Sequence, residues 1–207
     1  MARTFLAIDS SYEQLTQIAS SYREQHVYPY LQTKGYQRRL LTAAQSQRET
    51  VKSLASDPAT VYLTGAGHGT DSSFLGYQNA EVFAVGRYEA AEVEGKIAHL
   101  VSCSSAAILG IDFVQNGCRA FFGYNAPFAF DLQASGVFFE CDGMIDRALA
   151  EGASAAEAVL KATALFEQRI SEAKEPRIAA YLRFNLNHLC SPSANPQWGD
   201  ASARLQD

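Results

Sequence analysis

Short apolar runs alternating with amphipathic, capped stretches predict an α/β fold, with a mostly parallel sheet and helices on both of its faces. The length of 207 residues suits one such core, since single cores stop growing beyond about 250 residues. A composition of 47% hydrophobic and 19% charged residues is ordinary for a globular chain and supplies enough apolar material for a sheet covered twice. The expected organisation is one domain over 1–190 and an irregular tail over 191–207, where two prolines and Trp198 interrupt any periodicity.

Taken in order, Thr4 to Ile8 reads as a first buried strand. Ser10-x-x-Glu13 follows as a capping box opening a helix with Leu15, Ile18, Ala19 and Tyr22 on one face. Tyr36 to Leu41 is the second strand. A second capping box, Ser46-x-x-Glu49, precedes a helix carrying Val51, Leu54 and Ala55 that Asp57-Pro58 stops. Val61 to Leu63 forms the third strand and runs into Thr64-Gly65-Ala66-Gly67-His68-Gly69, whose glycines predict a loop rather than a sheet interior. Phe74 to Gln78 and Glu81 to Val85 suggest a hairpin. Ile97 to Val101 is the fourth strand, ending at Ser102-Cys103; Ser104 to Gln115 reads as a helix closed by Asn116-Gly117. After a fifth strand, Arg119 to Tyr124, the chain turns helical over 135–150, 154–173 and 177–189. The middle helix is announced by the capping box Ser154-x-x-Glu157.

Charge and cysteine usage narrow the function. A net charge of -5 with no Lys/Arg-rich stripe argues against nucleic acid as a partner. The apolar run near the N-terminus is too short for a signal peptide or a membrane span, so a cytoplasmic protein without membrane association is expected. Cys103, Cys118, Cys141 and Cys190 are scattered without a C-x-x-C pair, so free thiols are expected, with no metal site and no cofactor.

In parallel sheets the reactive crevice lies outside the carboxyl ends of the strands. Asp9, His68 and Cys103 stand just past the first, third and fourth strands and therefore share that edge. A thiol acts as a nucleophile only as thiolate, which a helix N-terminus or an imidazolium favours. Cys103, ahead of the helix expected from Ser104, is the cysteine with that setting; the other three read as structural thiols.

Val61-Tyr62-Leu63-Thr64-Gly65-Ala66-Gly67-His68-Gly69 and Ile97-Ala98-His99-Leu100-Val101-Ser102-Cys103, apolar strands ending in His-Gly and in a small residue plus Cys, resemble the two active-site blocks of the caspase-like clan of cysteine peptidases. That clan includes caspases, metacaspases, gingipains and CHAT domains. The compact spacing of the two blocks is similar to gingipain and CHAT members, and Gly117 to Tyr124 resembles the clan's fifth strand. The resemblance implies a caspase-like three-layer sandwich with sheet order 2-1-3-4-5. It further implies a catalytic pair of His68 and Cys103, and an oxyanion site at the backbone N–H groups of Gly69 and Cys103. The activity so implied is that of a cysteine endopeptidase acting on protein or peptide substrates.

Asp9 has two readings. In basic-specific members of the clan an acidic residue after the first strand lines the primary pocket, which would give cleavage after Arg or Lys; Asp-Ser-Ser before a helix is also ordinary capping chemistry. Metacaspase-like members carry an acid two residues before the cysteine, where this chain has Val101. Asn125, with Asp71 and Tyr124, is a candidate for the border of the cleft. His99 reads as a strand histidine held by hydrogen bonds, and His188 with Cys190 as too few ligands for a metal. The alternative to a general peptidase is a CHAT-type interaction or regulatory module with one dedicated protein partner or regulatory domain.

Overall fold

A strand covered by helices on both sides must be apolar on both faces, and Thr4-Phe5-Leu6-Ala7-Ile8 is buried along its whole length. The computed structural model describes residues 3–206; Met1, Ala2 and Asp207, at the outer ends of the expected domain and tail, lie outside the described residues. In chain order the strands are β1 (Thr4–Asp9), β2 (Gln37–Thr42), β3 (Thr60–Ala66), β4 (His68–Thr70), β5 (Ser73–Leu75), β6 (Glu81–Ala84), β7 (Ile97–Val101), β8 (Ala120–Tyr124) and β9 (Leu189–Cys190). The helices are α1 (Gln14–Tyr22), which continues through a π-helical turn at Arg23–Val27 into α2 (Tyr28–Thr33), then α3 (Arg48–Ala55), α4 (Leu109–Gln115), α5 (Ser135–Ala150), α6 (Ala155–Glu172) and α7 (Pro176–His188).

The main sheet runs β2-β1-β3-β7-β8-β9. Its five core strands are parallel, in the expected order 2-1-3-4-5, and β9 adds an antiparallel edge beside β8. Alternation along the strands divides the core into two layers. Phe5, Ala7, Tyr62 and Phe122 face Tyr28 of α2 with Ile145 and Leu149 of α5. Leu6, Ile8, Leu63, Leu100 and Phe121 face Val51 of α3 and Phe113 of α4, joined by Trp198.

Several local expectations are corrected. The first capping box does not form at Ser10, because Ser11 turns left-handed (φ 40°); Glu13 instead caps α1, its carboxylate accepting the N–H groups of Leu15 and Thr16. Ser46 does not cap α3 either. Gln47 stands at that position without a side-chain cap, and the Ser46 carbonyl accepts the Tyr77 N–H. The glycine-rich stretch is largely strand. β3 continues through Gly65, where any Cβ would collide with the Ile8 carbonyl, so this glycine marks a close approach of two strands rather than a loop. The predicted hairpin gains a third strand, because β4 pairs with β5 and β5 with β6, all antiparallel. The chain from Ser104 to Ile108 is a series of turns, and α4 begins only at Leu109.

The tail is irregular apart from a 3-10 turn at Pro196–Trp198, yet it is packed. Trp198 donates its indole N–H to the Ala106 carbonyl (2.9 Å), and Ala203 and Leu205 are buried against the sheet layer of Phe5 and Tyr62. Among the described residues no helix is long and apolar enough to cross a membrane.

Candidate active site

β3 and β7 are adjacent and parallel, with Ala66 beside Val101. Both chains therefore leave the sheet at one edge, and the Gly67 N–H extends the ladder by donating to the Val101 carbonyl (3.1 Å). His68 starts β4, opposite Leu75. The turn after β4 is fastened to the chain beyond Cys103, since the Asp71 carbonyl accepts the N–H groups of Ile108 (3.0 Å) and Leu109 (2.9 Å). Gly69 sits where a Cβ would lie 2.5 Å from the Cys103 carbonyl oxygen, so only glycine allows the two loops this proximity. His68 and Cys103 line the same cavity, of about 100 Å³.

Cys103 is half-buried, whereas Ser102 and Ser105 on either side are buried and hydrogen-bonded to each other (2.7 Å). The turn that exposes it is made by Ser104 at φ 57°, a left-handed conformation costing a non-glycine residue on the order of 1 kcal/mol. The Ser104 N–H donates to the Ala126 carbonyl (3.0 Å), and its carbonyl accepts the Ala107 N–H (2.9 Å). The expected helix N-terminus behind Cys103 is absent, because α4 starts six residues later. Burial pushes the Cys118, Cys141 and Cys190 thiols each up to about 12, away from thiolate.

His68 has a neighbour that sequence reading assigned only to helix capping. Its Nε2 lies 3.3 Å from a Glu13 carboxylate oxygen, and the Tyr12 ring stands edge-on to the imidazole at 6.0 Å. Burial works to raise the Glu13 carboxyl, but the N–H groups of Leu15 and Thr16, the Thr16 hydroxyl and the His68 charge together hold it below the usual range. The signal available in the sequence was a second acid–Thr pair, Glu13-x-x-Thr16, overlapping the first box.

Asp9 does not open into the cavity. It is 1% exposed and accepts the Tyr28 hydroxyl (2.9 Å) and the Ala66 N–H (2.9 Å), so it braces the end of β3 from within. Burial raises it to about 6, with Arg23, Tyr28 and the Ala66 N–H pulling the other way. It belongs to a buried polar network that the sequence did not disclose. Arg23 reaches Asp142 (3.3 Å), Asp146 (2.9 Å), Thr64 and Tyr28, while His99 donates to Asp146 (2.9 Å) and Asp142 (3.2 Å). Tyr62 donates to Asp146 and Tyr124 to Asp142. His99, Asp142 and Asp146 hold ligand atoms within 4.8 Å of one another, but Arg23 already supplies the counter-charge to both carboxylates.

Asn125 is likewise drawn away from the cavity: its side chain bonds the His188 ring (2.9 Å) and its N–H the His188 carbonyl (3.2 Å). Tyr124 is buried, and Asp71 is exposed and acts through its carbonyl. The rest of the cavity wall is mostly apolar. Ala66 and Val101, two residues before His68 and Cys103 respectively, share it with Ala19 of α1, Phe139 of α5 and the rings of Phe128 and Phe130. The two rings come from the irregular segment after β8, which Asn185 of α7 clamps by accepting the Ala129 N–H (2.9 Å) and donating to its carbonyl (2.7 Å).

No family model and no curated protein matches the chain. Among solved structures it is similar to gingipain R, an Arg-specific cysteine proteinase, at TM-score 0.66 and 8% identity over 99% of this chain and 47% of that one. It is also similar to the complex of pro- and mature domains of RgpB from Porphyromonas gingivalis, at TM-score 0.67 and 9% identity over 98% and 48%. The chain spans about half the length of either neighbour. At this identity the likeness is one of fold, and the fold is the caspase-like α/β sandwich.

Proposed function

We propose that the chain is a cysteine-type peptidase in which Cys103 is the nucleophile and His68 its proton-transfer partner. The observation that carries the reading is that these two residues leave adjacent parallel strands at one edge and line one cavity. In the reaction the Cys103 thiol gives its proton to the His68 imidazole as its sulfur adds to the peptide carbonyl carbon, and the developing oxyanion is met by the backbone N–H groups of Gly69 and Cys103. As the C–N bond breaks, the imidazolium gives its proton to the leaving amine; neutral His68 then takes a proton from water, whose oxygen attacks the thioester and releases the acid and the thiol. Glu13 holds Nε2, leaving Nδ1 for these transfers. Protein or peptide substrates are the partners this chemistry calls for.

A mixed fluorogenic peptide library tests the reading. Turnover by the wild type should be abolished in Cys103→Ala and fall by roughly 10²–10⁴-fold in His68→Ala, the range for loss of a general acid–base. Turnover surviving in Cys103→Ala would contradict the reading. No turnover of any peptide by the wild type would favour the dedicated-partner module instead.

A further inference from the structure

We propose that the cavity beside the dyad receives an uncharged apolar side chain, that of the residue whose carbonyl Cys103 attacks, so that cleavage follows Leu- or Phe-like residues rather than Arg or Lys. The inference rests on the peptidase reading above and deepens it.

Strand alternation fixes the location. Val101 and Cys103 are two residues apart, as are Ala66 and His68, so the side chains preceding each dyad member point to the face covered by α1 and α5. The cavity is thus lined by His68 and Cys103 together with the residue two before each. A substrate's side chain in question is attached one bond from the attacked carbon, so the concavity that both reacting groups line is the one it must enter.

The chemistry of the walls then decides what fits. Leu15, Ala19, Val101, Phe128, Phe130 and Phe139 are apolar, and the Phe139 ring packs against Phe128 (5.8 Å) and Phe130 (5.0 Å). Two polar side chains on the wall are already committed: the Thr16 hydroxyl donates to the Glu13 carbonyl (3.1 Å) and Ser102 donates to Ser105 (2.7 Å). None of the described residues lining the cavity carries a carboxylate. Asp9, the acid best placed in sequence to receive a cation, is turned into the interior and bonded to Tyr28 and Ala66. Glu13, the carboxylate beside His68, is held by the Leu15 and Thr16 N–H groups and is not on the wall, so a guanidinium or ammonium filling the cavity would lose its water against apolar groups, whereas an apolar side chain gains by burial.

The test is a set of peptide acyloxymethyl ketones of one sequence that differ only in the residue before the warhead, with labelling of the full chain followed by intact mass and the site mapped by digestion. Leu and Phe probes should label Cys103 at least about a hundredfold faster than Arg or Lys probes. Ala19→Leu, which fills the cavity, should slow the Phe probe about tenfold more than it slows a Gly probe. Leu15→Glu, on the exposed wall and therefore compatible with folding, should speed the Arg probe several-fold. Faster labelling of the wild type by Arg or Lys probes would overturn the inference and leave the peptidase reading in place. Labelling by no peptide probe, while iodoacetamide still alkylates Cys103, would overturn that reading and the inference with it.

Discussion

Cys103 reaches solvent because Ser104 accepts a left-handed backbone, and the hydrogen bonds of Ser104 to Ala126 and Ala107 hold that turn. Ser104→Gly should therefore keep activity and raise stability by about 1 kcal/mol, since glycine takes this conformation without the Cβ penalty. Ser104→Val, β-branched, should lower both; equal melting temperatures for the two variants would contradict the account. Glu13 has two tasks that mutation can separate. Glu13→Gln removes the charge beside His68 and keeps only one of the two oxygens that accept the Leu15 and Thr16 N–H groups, so kcat/KM should drop on the order of tenfold with a smaller loss of melting temperature than in Glu13→Ala. Glu13→Ala should in addition cost about 1 kcal/mol of stability. The placement of His68 and Cys103 at one sheet edge was legible in the sequence because an apolar strand followed by a reactive side chain is a local pattern. Glu13, Asp9 and Asn125 were not, because their roles depend on which way a side chain turns after the strand or loop has folded.

At the scale of elements, the cavity is assembled from pieces far apart in sequence: the ends of β3 and β7, α1, α5 and the segment bearing Phe128 and Phe130. That segment has no regular structure of its own and depends on the two hydrogen bonds from Asn185, which is fully buried on α7. Asn185→Ala leaves the Ala129 N–H and carbonyl unpaired, at a cost of about 1–3 kcal/mol. Since the loosened part is the cavity wall and not His68 or Cys103, the proposed function predicts that KM rises more than kcat falls, which steady-state kinetics with an apolar peptide would read; a change confined to kcat would contradict it. Helices 135–150 and 154–173 were read from sequence nearly to the residue, because their apolar spacing and the Ser154–Glu157 capping box are local signals that the structure keeps. The stretch 104–108 was misread as helix because Ala106, Ala107 and Ile108 continue the helical spacing of α4, while the turn at Ser104 and the bonds to Asp71 are tertiary.

Across the whole molecule, the strand order was legible because parallel strands with right-handed crossovers leave few arrangements, whereas the polar network beneath the sheet was invisible: Arg23, His99, Asp142 and Asp146 are distant in sequence and meet only in the fold. Burial alone would lower the His99 pKa, but the charges and hydrogen bonds of Asp142 and Asp146 raise it to about 9. The folded chain therefore keeps a proton that the unfolded chain releases above about pH 6.5. His99's contribution is complete below that pH and is lost as pH rises through 9, a fall on the order of 3 kcal/mol. Denaturation between pH 6 and 10 should show this fall in the wild type and a flatter profile in His99→Asn; a flat wild-type profile would contradict it. The central claim, that Cys103 is the atom that takes the acyl group, is tested most directly by quenching the wild type in acid during turnover of a slow peptide ester and reading intact and digested mass. The account predicts one acyl adduct, on the fragment containing Cys103 and missing from Cys103→Ala. An adduct on Cys118, Cys141 or Cys190, or ester turnover that persists in Cys103→Ala, would contradict it.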